Sequence, residues 1–307
     1  MTARDLTTAD GLRIRLRDDG RGAELILLHG FAGSGAEWDP FLPALVRLTR
    51  VLRPDLLGHG GSARPADPAR HAVERQAADL AALLRAEGIA SLHLVGYSFG
   101  ARIALRLALD APELVRSLFL ESPSAGIADP AARAERRAAD AALAELLERE
   151  GIGPFADRWE ALPIFAGEDA LPPEERDRRR AALRANDPAG LAASLRGAGQ
   201  GAMEPLHDRL GTLALPVTVL AGERDPTGTD RARIVAAAIP GARLVIVPGA
   251  SHAVHRTDPD RFRRELATHL VHAMEVCSAD SCAVRVPDLR PLAADPVTTP
   301  ASTRSPA

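Results

Sequence analysis

The sequence predicts an α/β protein whose mostly parallel central sheet carries helices on both faces and is broken by an all-helical insertion. Three observations predict it. Apolar strands alternate with helical patterns between residues 24 and 120. Strand signals then vanish from 122 to 210 and return at 217. Lastly, an apolar strand at 92–95 runs through Gly96-Tyr97-Ser98-Phe99-Gly100 directly into an apolar helix. Alternation of this kind calls for parallel strands joined by crossover helices that cover both faces.

Taken in order, residues 12–17 alternate apolar and charged between Asp10-Gly11 and Asp19-Gly20, the pattern of a half-exposed strand. Residues 24–28 form a buried strand that ends in His29-Gly30-Phe31-Ala32-Gly33. A short helical segment at 38–48 precedes a strand at 50–53, which leads into Asp55-Leu56-Leu57-Gly58-His59-Gly60-Gly61-Ser62. Val73, Ala77, Leu80 and Leu84 share one face at helical spacing. A further buried strand covers 115–120. In the insertion, Asp129-Pro130 opens a helix with a capping side chain and a proline at its first position. Other helices are expected near 173–183 and 187–195. The sheet resumes at 217–221 and 243–247 around a helix near 230–238. Asp258-Pro259 opens a last helix with Phe262, Leu266 and Leu270 on one face. The expected organisation is a core of residues 1–121 and 211–274, a helical lid at 122–210, and a Pro-, Thr- and Ser-rich tail at 275–307 without stable structure.

A net charge of −3 gives no electrostatic reason to seek nucleic acid or an anionic membrane. Arg4, Asp5, Asp10 and Arg13 interrupt the start of the chain, so it holds no leader-peptide core. No apolar stretch is long enough to span a bilayer, and a cytoplasmic location is expected. The chain has no lysine, which excludes Schiff-base chemistry and a lysine-anchored cofactor. Cys277 and Cys282 lie in the tail with no histidine cluster nearby, so neither a metal nor a cofactor is expected.

The chemistry centres on Ser98. A strand that reverses into a helix within so few residues forces close contacts, and the flanking Gly96 and Gly100 provide room for them. The serine is left at the apex beside unpaired helix-opening amides that suit a developing anion. A serine hydroxyl becomes reactive only when a histidine shares its proton and a carboxylate fixes that histidine's tautomer. In a parallel sheet such partners follow the carboxyl ends of later strands. Asp225 follows the strand at 217–221, and His252 follows the strand at 243–247. The chain order Ser98, Asp225, His252 is the one that goes with a nucleophile elbow. Among the rivals, Asp230 belongs to the next helix and Glu223 lies too close to its strand. His255 is expected at the surface or a helix start, His93 in the core, and His59 as a loop-shaping residue. The backbone amides of Phe31 and Phe99 are the expected oxyanion donors.

Leu28–Gly33, Asp55–Ser62, Gly96–Gly100, Gly222–Asp225 and His252 together resemble the α/β-hydrolase fold. Gly96–Arg102, the run from Glu121 to Gly126, Arg133 with Arg136, Trp159 with Leu162-Pro163-Ile164-Phe165, Leu183-Arg184-Ala185-Asn186 and residues 191–201 resemble one branch. That branch is the 2-succinyl-6-hydroxy-2,4-cyclohexadiene-1-carboxylate synthases of menaquinone biosynthesis. The resemblance implies a small-molecule polycarboxylate substrate that loses pyruvate after triad-mediated proton abstraction. It further implies Arg102, Arg136 and Arg184 as cations for the carboxylates, with Tyr97 and Trp159 shaping the pocket. Two positions depart from the branch. Pro226-Thr227 stands where a lysine–phenylalanine pair is usual, and Ser251 replaces a glycine. The alternative on the same triad is a serine hydrolase, either a carboxylesterase or a C–C bond hydrolase.

Overall fold

The structure, a computed structural model, describes residues 2–279. Its strands are β1 (Thr2–Thr7), β2 (Arg13–Gly20), β3 (Ala23–Leu28), β4 (Thr49–Pro54), β5 (Leu92–Tyr97), β6 (Val115–Glu121), β7 (Val217–Gly222) and β8 (Arg243–Val247). They form one eight-stranded sheet in the order β1-β2-β4-β3-β5-β6-β7-β8. The β1–β2 and β2–β4 pairs are antiparallel, and every other pair is parallel. The sequence reading missed β1, whose single large apolar residue is Leu6. Its charged Arg4 and Asp5 suit an edge strand, where they discourage pairing with another chain.

The helices are α1 (Leu42–Leu45), α2 (Val73–Ala86), α3 (Phe99–Asp110), α4 (Pro130–Glu150), α5 (Ile152–Glu160), α6 (Pro173–Arg184), α7 (Pro188–Ala198), α8 (Pro226–Ala238), α9 (Val254–Thr257) and α10 (Pro259–Ala279). Alternation along the central strands sorts the core into two layers, because successive side chains point to opposite faces. Ile26, Leu28, Leu94, Leu118 and Leu120 pack against α2, α3 and α8. Leu25, Leu27, Val95 and Phe119 pack on the other face against Trp38, Leu45 and the Phe262–Leu266–Leu270 stripe of α10. Each such fully buried side chain stabilises the fold by about 1.5–3 kcal/mol. Helix α10 continues to Ala279, past the helix end expected near Glu275; residues 280–307 lie outside the described residues.

Between Glu121 and Val217 the chain forms only helices and turns. Asp129 caps α4 by accepting a 2.7 Å hydrogen bond from the Ala132 amide, and Pro130 fills the first helical position. The insertion has a small core of its own around Leu147, Phe155, Leu191 and Leu195, which reaches down to Ala32 and Phe31 after β3. Asn186 anchors it there by donating 2.7 Å to the carbonyl of Ala32. The parallel register brings the ends of β3, β5, β6, β7 and β8 to one edge of the sheet, beneath these helices. Among the described residues, no helix is long and apolar enough to cross a membrane, and no cluster of side chains could hold a metal ion.

Candidate active site

At the end of β5 the backbone turns sharply. Ser98 adopts φ +48° and ψ −100°, a left-handed conformation that L side chains rarely take. Its amide is fixed by a 2.8 Å hydrogen bond to the carbonyl of Glu121. A Cβ on Gly96 would lie 2.6 Å from the Gly100 carbonyl, and one on Gly100 would lie 2.4 Å from that of Leu28. Both glycines are therefore required by the close approach of α3 to β5 and β3. Phe99 opens α3, so its amide has no partner within the helix. Phe31 follows β3 on the facing loop, where a Cβ on Gly30 would strike the Tyr97 ring at 2.4 Å.

Asp225 leaves β7 as the capping residue of α8, and its Oδ1 accepts from the Gly228 amide at 3.0 Å. Its Oδ2 stands 2.6 Å from Nδ1 of His252, whose Nε2 stands 2.8 Å from Oγ of Ser98. Burial opposes the Asp225 charge, but the His252 hydrogen bond, the His252 ring and the Gly228 amide outweigh it and hold the carboxyl below its usual range. The His252 loop is clamped on both sides. Its amide donates 3.0 Å to the carbonyl of Ile164, and its carbonyl accepts 2.7 Å from the hydroxyl of Ser122. The structure thus joins Ser98, His252 and Asp225 in one hydrogen-bonded line.

The rivals are occupied elsewhere. Asp230 is exposed and pairs with Arg233, while Glu223 accepts from the Gly249 amide at 2.9 Å. His93 is buried against Ser117, and burial pushes its imidazole down to about 4. His59 is buried with Nδ1 at the Leu57 carbonyl, and its ring contacts those of His29, Phe31 and Phe99. His255 departs from its expected surface position. It starts α9 but is only 4% exposed, because Glu121 and Glu37 hold its ring from two sides. Glu37 also pairs with Arg256, and Arg256 reaches Glu168 of the insertion, itself paired with Arg179.

Above Ser98 and His252 lies a cavity of about 730 Å³ between sheet edge and insertion. Tyr97, Arg102, Arg136 and Trp159 line it, as do Phe31 and Phe99. Arg102 is 7% exposed and in no ion pair among the described residues. It donates to the Ala198 carbonyl and lies 5.1 Å over the Phe99 ring. Burial first, then neighbouring Arg136, push its guanidinium down to about 9, with Asp140 opposing and Arg231 adding to the fall. Arg136 pairs with Asp140 at 2.8 Å. Trp159 stacks on Phe155 and tilts against Phe31.

Arg184 departs from expectation. Its side chain is 41% exposed, paired with Asp157 of α5, and absent from the cavity wall, to which α6 contributes Glu175, Arg178, Arg179, Ala182 and Leu183. Conversely, Arg231 lines the cavity without having been singled out from the sequence. Helix α8 starts at Pro226 rather than near residue 230, which places Arg231 within two turns of Asp225. The signal was present in Asp225-Pro226, the same cap-and-proline pair that opens α4 at Asp129-Pro130.

The sheet order, the elbow and the Ser98–His252–Asp225 line agree with a family model: the α/β-hydrolase fold model matches residues 24–259, and the chain belongs to that family. Over 239 residues it is 35% identical to 2-succinyl-6-hydroxy-2,4-cyclohexadiene-1-carboxylate synthase of Salmonella paratyphi C, covering 76% of this chain and 88% of that one. A Bacillus subtilis protein that bears the same synthase name provisionally is 34% identical over 268 residues, covering 87% of this chain and 97% of the relative. Within the α/β-hydrolases the chain belongs with these synthases. Among solved structures, MenH from S. aureus superposes with a TM-score of 0.81 at 29% identity, covering 84% of this chain and 98% of that one.

Proposed function

We propose that this chain eliminates pyruvate from 2-succinyl-5-enolpyruvyl-6-hydroxy-3-cyclohexene-1-carboxylate. The observation that carries the reading is a relayed serine–histidine pair opening into a cavity with arginines in its wall, in a chain whose relatives bear the synthase name. Asp225 holds the His252 tautomer, and His252 Nε2 takes the hydroxyl proton as Ser98 Oγ removes the ring proton α to the succinyl ketone. The electron pair moves onto the ketone oxygen, which the amides of Phe31 and Phe99 are poised to hold. Collapse of that enolate expels the enolpyruvyl group through its C–O bond, and protonation of the released enol gives pyruvate. Arg102 and Arg136 bind substrate carboxylates, and Tyr97 and Trp159 bound the pocket. The helices of residues 122–210 act as the lid over a core of residues 1–121 and 211–274. A cytoplasmic setting belongs to the same reading, since a polycarboxylate does not cross a bilayer unaided.

The test is purified protein supplied with the precursor, with pyruvate followed by reduction to lactate. Prompt pyruvate release at micromolar substrate supports the assignment. Absence of pyruvate alongside brisk turnover of simple aryl esters overturns it in favour of a serine hydrolase.

A further inference from the structure

The structure assigns to Arg231 a place in the substrate-binding wall, where it joins Arg102 and Arg136 in one subsite for a dicarboxylate. The assignment rests on the function proposed above and names a residue to which that reading gives no part.

Seven arginines line the cavity, and they fall into two groups by their charge partners. Arg178 pairs with Glu175, Arg179 with Glu168, Arg256 with Glu37 and Arg263 with Asp260. The other group is Arg102, Arg136 and Arg231, close enough that each of the outer two is disfavoured by the charge of Arg136. Asp140 is engaged by Arg136. Asp225, the other carboxylate near Arg231, has its oxygens taken by His252 and the Gly228 amide. Arg102 and Arg231 are in no ion pair among the described residues. Withdrawing a guanidinium from water without an ion-pair partner is unfavourable. The carboxylates near Arg102 and Arg231, Asp140 and Asp225, are already engaged by Arg136 and His252, which leaves two cations beside a third with bonding capacity for an anion from outside. Each planar guanidinium fork matches the two oxygens of one carboxylate, so several forks side by side suit a dicarboxylate better than a single point charge.

Position separates Arg231 from an ordinary surface arginine. Two residues on, Arg233 is 58% exposed and paired with Asp230, as a solvated helix charge should be. Arg231 is half-buried and turned to the cavity. With Arg136 it also borders a second hollow of about 540 Å³, walled by the loop after β6 and by Ile234 and Val235. Arg136 and Arg231 thus border both the chamber over Ser98 and this outer space, where a carboxylate can meet both.

The probe is succinate, titrated calorimetrically into the full chain at low salt. Wild-type protein should bind it, and Arg231→Leu and Arg231→Gln should weaken binding about tenfold or more, the loss of one charge-assisted bidentate contact. Arg231→Lys should recover part of that loss, and Arg233→Leu should behave as wild type. With the precursor, Arg231→Leu should raise KM by about the same factor, well beyond its effect on kcat. Matching circular dichroism melts confirm that the variants are folded. Succinate affinity in Arg231→Leu within twofold of wild type overturns the assignment, as does wild-type protein that takes up no succinate. If pyruvate release is robust while Arg231 proves indifferent, this inference falls and the proposed reaction stands. If succinate binding depends on Arg231 but no pyruvate forms, the reverse holds.

Discussion

Nδ1 of His255 stands 2.9 Å from Oε2 of Glu121, and both side chains are sealed beneath the elbow. Trp38 and Tyr97 pack on the imidazole, with ring centroids 5.0 and 4.7 Å away. Tyr97 is bonded to Ser98 in the chain, so this buried ionic cluster is the foundation of the nucleophile turn. Burial alone would favour the neutral ring, but Glu121 and then Glu37 reverse the balance and raise the imidazole from 6.5 to about 9.

That shift sets a pH window. A base with a raised folded pKa contributes stability fully below its unfolded value, about 6.5, and loses it as pH rises through about 9. Wild-type protein should therefore weaken between neutral pH and pH about 9.5. His255→Gln should be about 3–5 kcal/mol less stable at pH 6, because it strands the buried Glu121 without its cation, while Glu37 keeps Arg256. It should also lack the alkaline slope. Urea midpoints measured across that range check both statements.

Removing the relay should abolish turnover while leaving the fold intact. Ser98→Ala and Asp225→Asn should each lower kcat for pyruvate release by about 10⁴, the scale seen when a member of such a relay is lost. Single-turnover rates on folded variants are the measurement, and a loss below about tenfold in Ser98→Ala would remove Ser98 from the reaction.

The elbow glycines should be far less tolerant than glycines in open space. Gly100→Ala places a methyl 2.4 Å from the Leu28 carbonyl, so α3 must shift, at a cost of about 1–3 kcal/mol with a larger loss of rate. Gly153 lies in the first turn of α5, where an added methyl would meet nothing within 4 Å beyond its own helix, and Gly153→Ala should stabilise by about 0.5–1 kcal/mol. Thermal melts of the pair give opposite signs.

The arginines should separate by placement. Arg102→Leu should raise the precursor KM about tenfold or more, since the variant removes the buried, unpaired cation to which the proposed reaction assigns a substrate carboxylate. Arg184→Leu removes an exposed pair with Asp157 and should change KM by less than about threefold. Steady-state kinetics of the two variants side by side decides the matter.

What could be read from the sequence was what is local. The central strands announced themselves as apolar runs, and the Ser98 turn by glycines that its geometry demands. Asp225 and His252 follow from the rule that loops gather at the carboxyl edge of a parallel sheet. What escaped needed partners distant along the chain. His255 looked like a surface residue because nothing near it signals that Glu121, 134 positions earlier, lies against it. β1 was missed because an edge strand lacks the apolar run that marks a central one. Arg184 looked plausible by resemblance alone, and only the position of Asp157 across from α6 turns it outward.

The hydrogen bond from the His252 amide to the Ile164 carbonyl has a consequence for the base. Moving residue 164 outward would break one of the two backbone fastenings of the strap bearing the imidazole and leave the Ser122 hydroxyl as the other. The covering helices and the catalytic imidazole therefore share one fastening, so the position of residue 164 bears directly on the loop that carries the base.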